Sequence, residues 1–111
     1  MKTLTKDEYR AKFRRARSVA GRFNIFLDAA CSGQWKKCKG SFRRGEKVCI
    51  MGLAMDLGGR PGLSDGGFRK LIGINPQRII PGRGVTMFNL NDNTNLPLCE
   101  LAKVAKKVYA S

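Results

Sequence analysis

The sequence predicts a mainly α-helical single domain with a basic surface. The chain of 111 residues is long enough for one hydrophobic core. Apolar residues recur at helical spacing near both ends, and glycine and proline concentrate between them. We expect three principal helices, over residues 5–31, 46–57 and 96–109, and a short helix over 68–73. A small hairpin is compatible with residues 35–48, and strand content should otherwise be low.

The first predicted helix begins at a capping box. In the segment Thr5-Lys6-Asp7-Glu8, the threonine and glutamate side chains can each accept a hydrogen bond from a backbone N–H group at the helix start. Apolar residues then recur at steps of three and four over about seven turns. This stripe consists of Tyr9, Phe13, Ala16, Ala20, Phe23, Leu27 and Ala30. We therefore predict one continuous helix to residue 31, with arginines around its exposed arc.

The segment after this helix interleaves aromatic and cationic side chains. Residues 34–45 contain Trp35, Phe42 and five Lys or Arg residues. In nucleic-acid-binding proteins, exposed rings stack on bases while cations follow the phosphate backbone. Trp35 is therefore a candidate stacking platform. The alternative is that both aromatic side chains anchor the segment to the core.

The remaining elements follow from apolar content and from glycine and proline. Residues 46–57 are apolar nearly all round, which predicts a buried helix that stops at Gly58-Gly59. Residues 58–84 hold eight of the thirteen glycines and three of the four prolines, so we expect loops around the short helix. Asn95 as a cap and Pro97 in the first turn are typical of a helix start and predict the last helix.

Two short motifs resemble a family of small uncharacterised bacterial and phage proteins. The segment VCIMGLA at residues 48–54 is similar to the C-x-x-G-x-[AL] helix of that family. The segment NLND at residues 89–92 is similar to its L-N-D turn, which precedes a terminal amphipathic helix. The resemblance covers about residues 46–108. It implies a small helical fold and a phage or mobile-element setting, and it brings no activity with it.

Charge is the strongest indication of function in this chain. The sequence has 22 Lys and Arg against 8 Asp and Glu, a formal net charge of +14, and 14 of these cations lie in residues 1–47. A surface of this sign steers polyanions, and affinity gained from phosphate contacts falls steeply with salt. We predict a small basic nucleic-acid-binding protein that acts mainly through phosphate contacts with DNA or RNA.

The predicted binding residues are cations of the first helix and of the segment after it, together with the tryptophan. They are Arg10, Arg14, Arg15, Arg17, Trp35, Lys36, Lys37, Lys39, Arg43 and Arg44. The planar fork of arginine suits phosphate and carboxylate alike. The alternative function is therefore a phage-encoded inhibitor that uses the same residues on an acidic or nucleic-acid-binding surface of a host protein, such as a CRISPR nuclease complex or a polymerase.

Other functional classes are disfavoured by the composition. The chain has no histidine and its eight carboxylates form no obvious pair, so we expect no catalytic residues, no enzyme activity and no small-molecule substrate. The four cysteines match no zinc spacing, and we expect neither a metal nor a cofactor. No apolar run approaches the roughly 20 residues of a membrane span, and we expect no export signal because residues 1–8 turn acidic rather than apolar. We expect a cytoplasmic protein with free thiols.

Overall fold

The computed structural model describes residues 4–40, 43–59 and 65–109, which fold into helices and one small sheet. The helices are α1 (Lys6–Arg15), α2 (Val19–Cys31), α3 (Ile50–Gly58), α4 (Asp65–Ile72), α5 (Met87–Asn93) and α6 (Leu98–Tyr109). The strands are β1 (Lys36–Lys37), β2 (Arg43–Arg44) and β3 (Lys47–Val48). The prediction of a mainly α fold is confirmed. Within the described ranges, none of the helices combines the length and apolar character that a membrane crossing requires.

The core surrounds α3, which packs against α1, α2, α4, α5 and α6. Ile50, Met51, Leu53, Ala54 and Leu57 of this helix are completely buried. Each large apolar side chain buried in this way stabilises the fold by about 1.5–3 kcal/mol. The prediction of a buried helix is confirmed. The helix begins later than expected, because residues 47–48 belong to β3.

The predicted first helix, residues 5–31, is in fact two helices. α1 ends at Arg15, and Ala16 is extended with φ −69° and ψ 131°. Ser18 then begins α2, and its Oγ accepts a hydrogen bond from the Gly21 N–H group at 3.0 Å. α1 packs against α2, so the chain reverses at this break. The break also shifts the helical phase, which is why Phe26, outside the predicted stripe, is fully buried.

The helix α5 has no counterpart in the predicted fold. Thr86 begins it, with Oγ1 accepting from the Asn89 N–H group at 3.3 Å. The L-N-D resemblance implied a turn at residues 89–92, and asparagine itself favours turns through side-chain hydrogen bonds to nearby backbone. Burial of Leu90 and Asn91 outweighs that preference here. The predicted cap of the last helix is also wrong, because α6 begins only at Leu98, and Asn95 Oδ1 accepts from Lys39 Nζ at 3.2 Å.

The sheet has the strand order β1-β3-β2, parallel between β1 and β3 and antiparallel between β2 and β3. β2 and β3 form a hairpin through the two-residue turn Gly45-Glu46. Gly45 has φ +60°, the left-handed value that a type II′ turn requires at its first central position. The hairpin agrees with the sequence prediction, and the parallel strand β1 extends it to a third strand.

A disulfide between Cys31 and Cys99 links the last residue of α2 to the first turn of α6. The two Cα atoms are 4.3 Å apart, although 68 residues separate them in the sequence. The prediction of four free thiols is therefore wrong for this pair. Cysteine spacing alone does not determine connectivity, so the sequence carried no signal for it. Cys38 and Cys49 are buried and take no part in a disulfide.

Candidate nucleic-acid interface

Three cations lie side by side on the exposed face of the sheet. Lys47 is paired in register with Lys36 on one side and with Arg44 on the other. Residues paired in this way project from the same face of a sheet. All three are exposed, whereas Val48, which follows Lys47 on the opposite face, is buried. We refer to Lys36, Lys47 and Arg44 as the cationic row.

The cationic row has no acidic partner among the described residues. None of its three side chains takes part in an ion pair or a side-chain hydrogen bond there. Neighbouring strands lie about 4.8 Å apart, so the Cα atoms of the three cations lie within about 10 Å of one another. Like charges directly opposite each other destabilise a sheet, whereas opposite charges would stabilise it. The row is therefore an electrostatic cost to the isolated protein that an external polyanion would remove.

A buried polar cluster holds the chain that leads out of β1. Asn91 is fully buried, and its Oδ1 accepts from the Ile50 N–H group at 3.0 Å. Its Nδ2 donates to the Cys38 carbonyl oxygen at 2.9 Å and to Asp92 Oδ1 at 3.0 Å. Asp92 Oδ1 also accepts from the Gly40 N–H group at 3.0 Å. The residues that carry the family resemblance thus fix the position of the sheet relative to α3 and α5.

Lys37 and Lys39 also fasten this segment to the connection between α5 and α6. Lys37 Nζ donates to the carbonyl oxygens of Thr94 and Leu96, at 2.8 and 2.6 Å. Burial lowers the pKa of Lys37, and the neighbouring charge of Lys39 acts in the same direction. Lys37, predicted to contact a partner, is therefore engaged within the protein. Lys39 donates to Asn95 and stays exposed.

Trp35 lies in the core and does not offer its ring to a base. Only 4% of it is exposed, and its indole N–H group donates to Asp56 Oδ2 at 2.7 Å. The ring meets Tyr9 edge to face with centroids 5.9 Å apart, and Lys6 Nζ lies 5.5 Å from its centroid. The stacking role predicted for Trp35 is wrong, and the alternative of a core anchor is correct. Phe42, the second aromatic of the segment, lies outside the described residues.

Arg10 is bound to the same carboxylate. Its Nε and Nη2 donate to Asp56 at 3.2 and 2.9 Å, and its Nη1 donates to Asp7 at 2.8 Å. Burial alone would raise the pKa of Asp56, but the hydrogen bonds from Arg10 and Trp35 and the charges of Arg10 and Arg43 lower it below its ordinary value. Three nitrogen atoms of Arg10 are therefore engaged within the protein, and its predicted partner contact stays a prediction.

Two further arginines donate hydrogen bonds to backbone carbonyl groups at the C-terminal ends of helices. Arg14 Nε donates to the Leu57 carbonyl oxygen, near the end of α3, at 3.2 Å. Arg22 donates to three carbonyl oxygens, those of Ala16 at 3.2 Å, Lys70 at 3.1 Å and Leu71 at 2.6 Å. The last carbonyl groups of a helix lack partners within the helix and carry partial negative charge, which cations stabilise. Part of the arginine content of α1 and α2 is thus structural, Arg14 of the predicted site included.

The other predicted cations fall into two separate groups. Arg15 and Arg17 are exposed at the junction of α1 and α2, and neither donates a side-chain hydrogen bond to another described residue. This junction adjoins the C-terminal end of α3, whereas the sheet adjoins its N-terminal end, about 13 Å away along nine helical residues. Arg43 precedes Arg44 but is paired with Val48, on the face of the sheet opposite the cationic row, and its Nε donates to the Gly45 carbonyl oxygen at 3.0 Å.

Comparison of the chain with protein-family models, with curated proteins and with solved structures finds no match. The resemblance to small bacterial and phage proteins therefore stays a prediction.

Lys47 is the member of the cationic row that the sequence prediction missed. A usable signal was present, because Gly45 and Glu46 form a two-residue turn and such a turn places the residues that flank it, Arg44 and Lys47, opposite each other. No comparable local signal exists for the pairing of Lys36 with Lys47, since a parallel register is not set by a tight turn.

Proposed function

We propose that this protein binds nucleic acid through the cationic row, which contacts the phosphate backbone. The observation that carries the proposal is the alignment of Lys36, Lys47 and Arg44 on one exposed face with no acidic partner among the described residues. The formal net charge of +14 adds a long-range attraction for any polyanion. Both features favour backbone contacts, which position a nucleic acid without reading its sequence.

A second group of cations extends the proposed contact. Arg15 and Arg17 lie close to Arg69 and Lys70, because one guanidinium group, that of Arg22, bridges the backbone at residues 16 and 70. Arg69 and Lys70 are also exposed, in the last turn of α4. A nucleic acid long enough to reach both groups would gain additional phosphate contacts. We assign the primary contact to the cationic row, since its like charges are held in register.

The test is a charge-removal variant measured across a salt series. In the variant K36Q/R44Q/K47Q, the affinity for labelled duplex DNA and RNA should fall at least about tenfold, and the slope of log K against log salt between about 50 and 300 mM should decrease in magnitude by about 2 to 3. The matched control K12Q/K103Q/K106Q removes the same charge from exposed positions on α1 and α6, outside both groups of cations. Its affinity should change by less than about threefold.

Two results would contradict the proposal. If both variants lose affinity equally, net charge alone drives binding and the cationic row is not a site. If the native protein binds neither duplex nor single-stranded DNA or RNA at about 150 mM salt, nucleic acid is not its partner.

The alternative function and the predicted setting stay predictions. A phage-encoded inhibitor that docks on an acidic or nucleic-acid-binding host protein would use the same exposed cations. The Cys31–Cys99 disulfide argues against the predicted cytoplasmic location, because disulfides persist mainly in oxidising compartments. Measuring the redox state of these two cysteines in host cells would decide between the compartments.

A further inference from the structure

A groove of about 870 Å³ runs between α6 and the turn at residues 80–83. Five of its lining residues follow the helical spacing i, i+3, i+4, i+7 and i+8, so they form one face of α6. They are Glu100, Lys103, Val104, Lys107 and Val108. The opposite wall consists of residues 80–83, and Lys106 completes the α6 side. This groove is distinct from the cationic row, none of whose residues lines it.

The floor of the groove is apolar. Val104 and Val108 are half-buried, although Leu101 and Ala105 of the same helix are completely buried on its core side. Ile80, which is buried, continues the floor on the facing wall. Covering apolar surface that is still accessible gains about 25 cal/mol per Å². The apolar surface of the two valines that the fold leaves accessible is therefore available to a binding partner.

The rim of the groove is cationic. Arg83 is exposed on the turn, and Lys103 and Lys106 are exposed on α6. Among the described lining residues Glu100 is the one carboxylate, and it lies 3.5 Å from Lys103 Nζ in a pair whose side chains are 50% and 59% exposed. Exposed pairs of this kind contribute at most about 1 kcal/mol. The helix dipole accounts for Lys106 in the last turn of α6, but it does not account for Arg83 on the facing wall.

We propose that this groove binds an acidic amphipathic α-helix of a partner protein. The apolar side chains of that helix would pack on Val104 and Val108, while its carboxylates would meet Lys103, Lys106 and Arg83. Helix-in-groove recognition requires an apolar floor for anchors spaced i, i+3 and i+4, and charged rims set orientation and association rate. Nucleic acid fits less well, because a phosphate backbone makes no use of an apolar floor. The nine residues from Glu100 to Val108 span about 12 Å along α6, which matches two to three turns of a partner helix.

The experiment uses the full chain and a synthetic peptide probe. The peptide is a fluorescein-labelled helix of about 18 residues, with leucine at i, i+3, i+4 and i+7 and glutamate on the remaining positions. Its controls are a scrambled peptide of equal composition and a peptide in which lysine replaces each glutamate. The native protein should bind the first peptide at least about tenfold more tightly than either control, measured by fluorescence anisotropy.

Variants of the protein test whether the peptide binds in the groove beside α6. The charge reversal K103E/K106E should weaken peptide binding at least about tenfold, and Val108→Ser should weaken it at least about threefold. The matched reversal K36E/K47E, on the cationic row, should leave peptide affinity within about twofold. Circular dichroism of each variant should match that of the native protein, which checks that the variants are folded.

Three outcomes would overturn the inference: equal binding of the scrambled peptide, equal loss in the K36E/K47E variant, or a loss of duplex DNA affinity in K103E/K106E as large as that in K36Q/R44Q/K47Q. The last result would assign this face to nucleic acid. Failure of the cationic row to bind DNA leaves this test unaffected, because the two measurements use different probes and different residues.

Discussion

The indole N–H group of Trp35 donates to the carboxylate of Asp56 at 2.7 Å, and this carboxylate also receives the guanidinium group of Arg10. One acidic side chain of α3 therefore fixes both α1 and the segment that leads into β1. The sequence separations are 21 and 46 residues. The cationic row depends on this contact for its placement, because Lys36 is the residue next to Trp35.

Removing the Asp56 carboxylate should destabilise the fold strongly. In Asp56→Ala, Arg10 and Trp35 lose their acceptor in a site where the Asp56 side chain is only 15% exposed, and we expect the free energy of unfolding to fall by about 2–4 kcal/mol. Urea denaturation measures this change. The matched control is Asp7→Ala, which removes the other carboxylate that Arg10 contacts, at 2.8 Å, from a side chain that is 91% exposed. It should cost less than about 1 kcal/mol, and equal losses would contradict a special role for Asp56.

Stability should also fall in acid through the same group. The pKa of Asp56 is lower in the folded protein than in the unfolded chain. The stabilisation from its ionised carboxylate is therefore complete above the unfolded-state pKa of about 3.9. It is lost as the pH falls through the folded-state pKa. Urea unfolding of the native protein at a series of pH values from about 7 to 2.5 should reveal this loss below about pH 4. The Asp56→Ala variant should show a flatter dependence over that window. A dependence as steep as that of the native protein would assign the acid sensitivity to other carboxylates.

Local signals in the sequence were sufficient for most helices and insufficient for the break in the first one. Apolar periodicity runs through residues 9–30 without an obvious interruption, so it predicted a single helix. The structure breaks at Ala16, because Ser18 caps α2 and the two helices bury their apolar faces against each other. A serine followed by three residues without an acid is a weak cap signal, and tertiary packing decided the outcome.

The positive charge of the candidate site was predictable from the sequence, but the identity of the cations that form it was not. Composition indicated a polyanion partner, yet it could not distinguish surface cations from structural ones. Arg10, Arg14 and Lys37 bind acceptors within the protein. These acceptors lie 46, 43 and 57 residues away in the chain. No pattern within a helix or a loop reports such distant acceptors. Burial of Trp35 has the same origin, since its partner Asp56 belongs to another helix.

The disulfide should contribute substantially to stability. The Cys31–Cys99 bond closes a loop of 68 residues, and the loss of unfolded-state entropy for a loop of that length corresponds to about 4 kcal/mol. Dithiothreitol should therefore lower the melting temperature of the native protein. The variant C31S/C99S should melt at the lower temperature with or without the reductant.

A thiol titration under denaturing, non-reducing conditions checks the pairing directly. The native protein should present two reactive thiols, those of Cys38 and Cys49, because the other two cysteines are bonded. Four reactive thiols in protein purified without reductant would contradict the pairing. An unchanged melting temperature after reduction would contradict its contribution to stability.

Glu46 should weaken nucleic-acid binding at the cationic row. It is exposed in the hairpin turn between Arg44 and Lys47, and it forms no ion pair with any described residue. Glu46→Gln should raise duplex DNA affinity about two- to threefold at about 50 mM salt, because it removes the repulsion between a carboxylate and the phosphates. The gain should vanish near 300 mM, where screening shortens the Debye length to about 6 Å. The matched control Glu100→Gln removes the same charge from α6, away from the row, and should give less than half of this gain. Equal gains in both variants would mean that net charge, rather than the cationic row, determines affinity.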